Sequence, residues 1–117
     1  GASTPFLAIP LHSEDILQAT IPQIEWHKLK NENGLDIYVA FTVLEGKSYL
    51  KIKFENTQAK TIYFSWSLQE DQQILVEAHQ HKVLSNSTIE VFDQTMLFEA
   101  SPTTFHHFSI TTTLTND

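Results

Sequence analysis

The residues with the richest chemistry lie between positions 77 and 81. Six histidines occur in 117 residues, and two of them fall in the pattern Glu77-x-His79-x-His81. Alternate side chains of an extended strand point to the same side, so this spacing offers two imidazoles and a carboxylate on one face. Such a set suits Zn²⁺ or another divalent ion, and His107 near the end of the chain supplies a candidate fourth ligand. The plain alternative is an exposed strand face carrying adaptable polar groups. A cupin-like site would also want flanking glycines, whereas Gly46 is the last glycine of the sequence.

A second candidate set is Tyr38, Tyr49 and Tyr63 with Lys51 and Lys53, all at outward positions of strands expected from the apolar pattern. Tyrosine rings beside lysines suit stacking of sugar rings or docking of a partner protein. Cross-strand tyrosine pairs that add roughly 0.2–1 kcal/mol each to sheet stability are the simpler account. Catalysis has less support. The sequence has no Gly-x-Ser-x-Gly elbow, no glycine-rich phosphate loop and no His-Glu-x-x-His. Glu70-Asp71 reads as a pair of solvated turn acids, and Asn86-Ser87-Thr88 has the form of a glycosylation sequon. No catalytic residue and no cofactor is assigned.

The elements that must position these groups are strands. Leu35, Ile37, Val39, Phe41 and Val43 alternate with polar or small residues, then Leu50, Ile52 and Phe54 do the same after Glu45-Gly46. A two-residue turn there sets Leu44 opposite Lys47, Phe41 opposite Leu50, Val39 opposite Ile52 and Ile37 opposite Phe54, and a slip of one residue would destroy that match. The same register sets Tyr38 opposite Lys53 and Tyr49 opposite Thr42. Tyr63 joins their face only if the connection over residues 56–60 stays in one sheet.

Further strands are expected over residues 24–29, 62–68, 74–82, 89–92 and 105–114, with a shorter piece over 96–98. Turns are expected at Asn31-Glu32-Asn33-Gly34, Glu70-Asp71 and Ser85-Asn86-Ser87. In the last long strand Phe108, Ile110 and Leu114 are expected to face in and Ser109, Thr111 and Thr113 out. Roughly seven or eight short strands in about 100 residues point to an all-β fold, an antiparallel two-sheet sandwich, with Trp66 filling space between the sheets. A closed barrel ranks second. Residues 1–22 are expected to be an extended N-terminal segment packing on the domain over 23–117, with one helical turn capped by Ser13.

Composition narrows the partners. The chain is 41% hydrophobic with no cysteine, so a core without disulfides is expected and thiolate chemistry is excluded. Fourteen acidic residues stand against seven basic ones, giving a net charge of −7. All seven basic residues are lysine. Such a field disfavours nucleic acid and anionic membrane surfaces. No uncharged apolar stretch reaches about 18 residues, so no membrane insertion is expected. Gly1-Ala2-Ser3 reads as a cloning remnant or the start left by a removed leader.

The run Leu50-Lys-Ile-Lys-Phe-Glu-Asn56-Thr, the strand Thr61-Ile-Tyr-Phe-Ser-Trp66-Ser-Leu68-Gln-Glu-Asp71 and the polar turn Ser85-Asn86-Ser87-Thr88 before Ile89-Glu-Val resemble immunoglobulin-like accessory domains of bacterial envelope and secreted proteins. About 40 residues carry the resemblance. It is similar also to sandwich domains that accompany glycoside hydrolases, with Asp71-Gln72 where those have Asp-Gly and Ser-Asn-Ser where they have Pro-Gly. The resemblance implies an immunoglobulin-like sandwich, an extracellular or periplasmic place in the cell envelope, and a non-enzymatic accessory or interaction role with a protein or glycan partner. A carbohydrate-binding module using the tyrosines, with Trp26 as a further candidate, and a divalent-metal protein using the His-x-His strand, are the alternatives.

Overall fold

The computed structural model describes residues 24–92 and 97–116. The expected N-terminal segment over 1–22, with its Ser13 turn, lies outside them, as does Met96. Seven strands run in chain order: β1 (His27–Glu32), β2 (Leu35–Leu44), β3 (Lys47–Asn56), β4 (Ile62–Glu70), β5 (Gln73–Val83), β6 (Ser87–Val91) and β7 (Phe108–Leu114). A single 3₁₀ turn, Phe105–His107, precedes β7. The fold is all-β, with two antiparallel sheets ordered β1-β2-β3-β6 and β5-β4-β7.

Tight turns build the hairpins. Asn33 and Gly34 have φ of 58° and 86°, and Glu45 and Gly46 have 51° and 80°, the pair of left-handed residues that matches the twist of the flanking strands. The β2–β3 register is the one its apolar pattern demands, with Ile37 on Phe54, Val39 on Ile52, Phe41 on Leu50 and Leu44 on Lys47. Because Asn33-Gly34 alone makes the first turn, β1 runs on to Glu32 and begins only at His27, later than the expected 24–29. The chain then crosses between the sheets three times, and two of the crossings run in the same sense. β3 leads to β4 and β6 leads to β7, while β3 pairs β6 and β4 pairs β7. The two crossovers therefore interlock, and neither sheet can peel away alone. Beyond β6 the edge of β3 is completed by residues 98–100, through Leu50 N–H to Phe98 O at 2.7 Å and Ala100 N–H to Ser48 O at 3.0 Å.

Between the sheets the inward residues of both interdigitate. Leu35, Ile37, Leu50, Ile52, Phe54, Phe64, Leu68, Val83 and Ile110 are all fully buried or nearly so. The seven phenylalanines of the described residues and Trp66 form one continuous column of ring contacts. It runs Phe64, Phe54, Trp66, Phe92, Phe98, Phe108, Phe105 and Phe41, with centroids 5.0–6.1 Å apart. Trp66 sits at its centre, as its inward position on a half-buried strand requires. Its indole N–H has no hydrogen-bond partner among the described residues. Phe92 holds a φ of 60°, a left-handed conformation unfavourable by about 1–2 kcal/mol for a bulky side chain, and its ring is clasped by Trp66 and Phe98.

Two polar devices fix the sheets to one another. Asn56 is fully buried at the end of β3; its amide donates to the carbonyls of Lys60 (2.7 Å), Val83 (3.0 Å) and Leu84 (3.3 Å) and its oxygen accepts from Gln58 N–H. At the β1–β2 turn, Glu32 Oε1 accepts from the Thr112 N–H (2.6 Å) and hydroxyl (2.7 Å), while the Asn33 amide donates to Thr112 O (3.1 Å). Glu32 and Asn33 thus occupy backbone groups on the free edge of β7 that would otherwise be open to another strand. Thr112 faces in, as its register with Trp66 requires, and this clamp satisfies its hydroxyl. Leu114 lies on the inward side of β7, opposite the buried Phe64, as expected, yet it is 55% exposed on this edge strand. Partial burial pushes the Glu32 carboxyl up, but the Thr112 hydroxyl and amide together with Lys30 outweigh it and hold the group below its ordinary value of 4.5.

Asn56→Leu is expected to cost about 3 kcal/mol in a urea titration, because it strands buried backbone groups while keeping the volume. Glu32 binds protons less readily folded than unfolded. Its share of stability is therefore present above about pH 4.5 and lost as pH falls through the lower folded value. Glu32→Gln is expected to lower the urea midpoint at neutral pH and to flatten its decline in acid; an acid limb as steep as the parent's would count against the clamp.

Candidate functional site

The His-x-His strand is β5, an edge strand, and its alternation is broken. Phe64 pairs with His81 but Trp66 pairs with Ala78, so one extra residue is inserted, with Gln80 at φ 62°. This bulge re-aims the strand. Ala78, His81 and Val83 lie opposite inward residues of β4, whereas Glu77 lies opposite the outward Ser67. Glu77 and His79 keep each other company outside, Oε1 to Nε2 at 3.8 Å. His81 instead lays its ring against Phe64 (5.8 Å) and Trp66 (6.5 Å). His107 pairs with Asp71 at 3.6 Å, and the six residue steps of β4 from Phe64 to Glu70 put it about 20 Å from His81 at the rise of a strand. The expected set Glu77, His79, His81 and His107 is therefore not brought together. Among the described residues no three histidine or acidic side chains converge as metal ligands. One signal in the sequence foretold the bulge: Ala78 and Val83 are five positions apart, an odd interval that a period of two cannot bury on one side.

The tyrosine set divides between the sheets. Tyr38, Lys51, Lys53 and Tyr49 share the outer face of the four-stranded sheet, in the expected pairs Tyr38 with Lys53 and Thr42 with Tyr49. Tyr63 lies on β4, in the other sheet. On the first face the Lys53 ammonium is held between two rings, 4.5 Å from the centroid of Trp26 and 5.0 Å from that of Tyr38. The Tyr38 hydroxyl donates to Glu55 at 3.2 Å. Desolvation first, and then this bond to Glu55, push the phenol up and keep it a donor. Lys51 reaches Glu90 at 4.0 Å, and Lys28 pairs with Asp36 at 3.2 Å. Asp36 is held below its ordinary range by the Asn31 amide and by Lys28. Ile24 lines a groove of about 150 Å³ with Thr42, Leu44, Tyr49, Lys51 and Leu97. The segment before β1 thus runs over this face from Tyr49 towards Tyr38. The face mixes Lys28, Lys51 and Lys53 with Asp36, Glu55 and Glu90 around Trp26, Tyr38 and Tyr49, and Trp26 is its principal residue beyond the tyrosine and lysine set.

With this geometry in view, comparisons against protein-family models, curated proteins and solved structures found no match. Among the described residues no helix is long and apolar enough to cross a membrane.

Burial lowers the proton affinity of the His81 imidazole below its ordinary value of 6.5. The folded state then favours the neutral ring, so the contribution of His81 is complete above about pH 6.5 and declines as pH falls towards the folded value. A series of urea midpoints from pH 7.5 to 5, taken for the parent and for His81→Phe, is expected to show a smaller decline in the variant (pH range chosen to span about one unit either side of an ordinary histidine). Identical slopes would place His81 in a watery rather than an apolar setting.

Proposed function

We propose that this domain is a non-catalytic accessory or interaction module of an exported or cell-envelope protein, built as an immunoglobulin-like sandwich. The observation that carries the reading is the interlocked pair of crossovers with a buried tryptophan. In immunoglobulin domains strands B and E are neighbours in one sheet and C and F in the other, and the buried tryptophan stands on C. The pairs β3 with β6 and β4 with β7 correspond to these, and Trp66 on β4 corresponds to that tryptophan. A core filled from both sheets supports a role exercised from the surface. Binding through the outer face of the four-stranded sheet is supported by its Trp26, Tyr38 and Tyr49, since tryptophan and tyrosine dominate interface hot spots.

A carbohydrate-binding reading is favoured by one observation, the fixed Trp26 and Tyr38 rings on an outer sheet face. It is weakened by the segment of chain at Ile24 to Trp26, which occupies the strip between Tyr38 and Tyr49 where a glycan would lie. The test is photocrosslinking from Thr88, an exposed neighbour of Glu55 on this sheet, replaced by a benzophenone amino acid. Irradiation with the exported fraction of the source cells is expected to give a discrete protein adduct that Trp26→Ala weakens. Retention on a glycan array without any protein adduct would transfer the assignment to carbohydrate binding, and turnover of chromogenic esters, glycosides or phosphates would end the non-catalytic one.

A further inference from the structure

The β5 bulge has an effect on the opposite side of the molecule from the Trp26 face. Gln80, His81 and Lys82 border a cleft of about 340 Å³ that is closed by Tyr63 on β4 and by Thr115 and Asn116 beyond β7. Clefts of this size fall in the range that holds small ligands. Five of the six lining residues carry side chains that can donate a hydrogen bond, a phenol, two carboxamides, an ammonium and a hydroxyl, while the His81 ring is turned away against Phe64 and Trp66. Among the described residues no carboxylate lines the cleft, although the chain carries fourteen acidic residues against seven lysines. Among the described residues no carboxylate lies within ion-pair distance of Lys82, whereas Lys28, Lys30 and Lys51 all have acidic partners. The Thr115 backbone is pinned by its N–H to Tyr63 O at 2.9 Å, so the two walls are fixed to each other.

Two other openings differ in their charge. The groove at Ile24, Leu44 and Leu97 has Lys51 as its cation, and that lysine is already paired with Glu90. The depression beside Gly46 is bordered by Glu99 as well as Lys47. Of these three openings, the cleft at the bulge combines a cation without an acidic partner among the described residues with several neutral donors.

We propose that this cleft binds a sugar acid, a hexuronate whose carboxylate meets the Lys82 ammonium and the Gln80 amide while its hydroxyls meet Tyr63, Thr115 and Asn116. A single ammonium with flanking neutral donors satisfies one carboxylate, and an aromatic ring beside hydroxyl and amide groups suits a pyranose. The bulge is what creates the arrangement, because it turns Gln80 into the left-handed conformation at the rim while His81 turns inward. This site is separate from the sheet face assigned to a partner, and either can fail without the other.

The experiment is a titration of the ¹⁵N-labelled domain with sodium D-glucuronate, read from amide shifts, with D-glucose and inorganic phosphate in parallel. Saturable shifts in the millimolar range at Gln80, His81, Lys82, Thr115 and Asn116 are expected for glucuronate, with none for glucose. Lys82→Gln is expected to weaken binding about tenfold or more, and Thr115→Val, on the opposite wall, to weaken it by a smaller factor while the remaining amides keep their positions. Absence of saturation up to about 50 mM, glucose binding as well as glucuronate, phosphate alone binding, or unchanged affinity in Lys82→Gln would each overturn the proposal.

Discussion

The column of aromatic rings between the sheets is the constraint on which the rest of the structure depends. Its members come from both sheets and from the connections between them, so no ring can move without displacing a neighbour from another element. Phe54 and Phe41 come from β3 and β2, Phe64 and Trp66 from β4, Phe92 and Phe98 from the link after β6, and Phe105 and Phe108 from the approach to β7. Close packing of this kind tolerates neither voids nor extra atoms. It also accounts for the unusual backbone at Phe92, where ring contacts on two sides hold a conformation the residue would not otherwise choose.

Polar groups act at the margins of that column. Asn56 ties the exit of β3 to the end of β5, and the Glu32 and Asn33 pair covers the free edge of β7. Both reach across long stretches of sequence, Asn56 to backbone atoms and the Glu32 and Asn33 pair to the backbone and hydroxyl of Thr112. A buried amide with four partners specifies one geometry much more narrowly than an apolar residue of the same size. The column supplies cohesion, and these groups select which of several apolar packings is adopted.

Alternation of residues revealed whatever depended on local pattern. The β2–β3 register was legible because both strands keep an unbroken period of two and the turn between them is short. Trp66 was legible as a core residue for the same reason. The limits of β1 were not, because Asn33-Gly34 makes a tighter turn than the four polar residues around it suggest. The β5 bulge was hidden behind the attractive spacing of Glu77, His79 and His81, since a repeat of ligand types looks regular even where the backbone is not. The inward Thr112 was overlooked because its partner, Glu32, stands eighty residues away. The separation of Tyr63 from Tyr38 and Tyr49 followed from a crossover that local pattern allows but does not demand.

The two tryptophans occupy contrasting surroundings. Trp66 is enclosed by rings with its N–H unbonded, whereas Trp26 lies on a sheet face with an ammonium over its π cloud. An indole excluded from water emits at shorter wavelength than one that is hydrated, and a cation over the ring shifts and quenches the emission of the other. The native protein therefore carries two optically distinct reporters, one for the integrity of the interior and one for events on a single outer surface, without any added label.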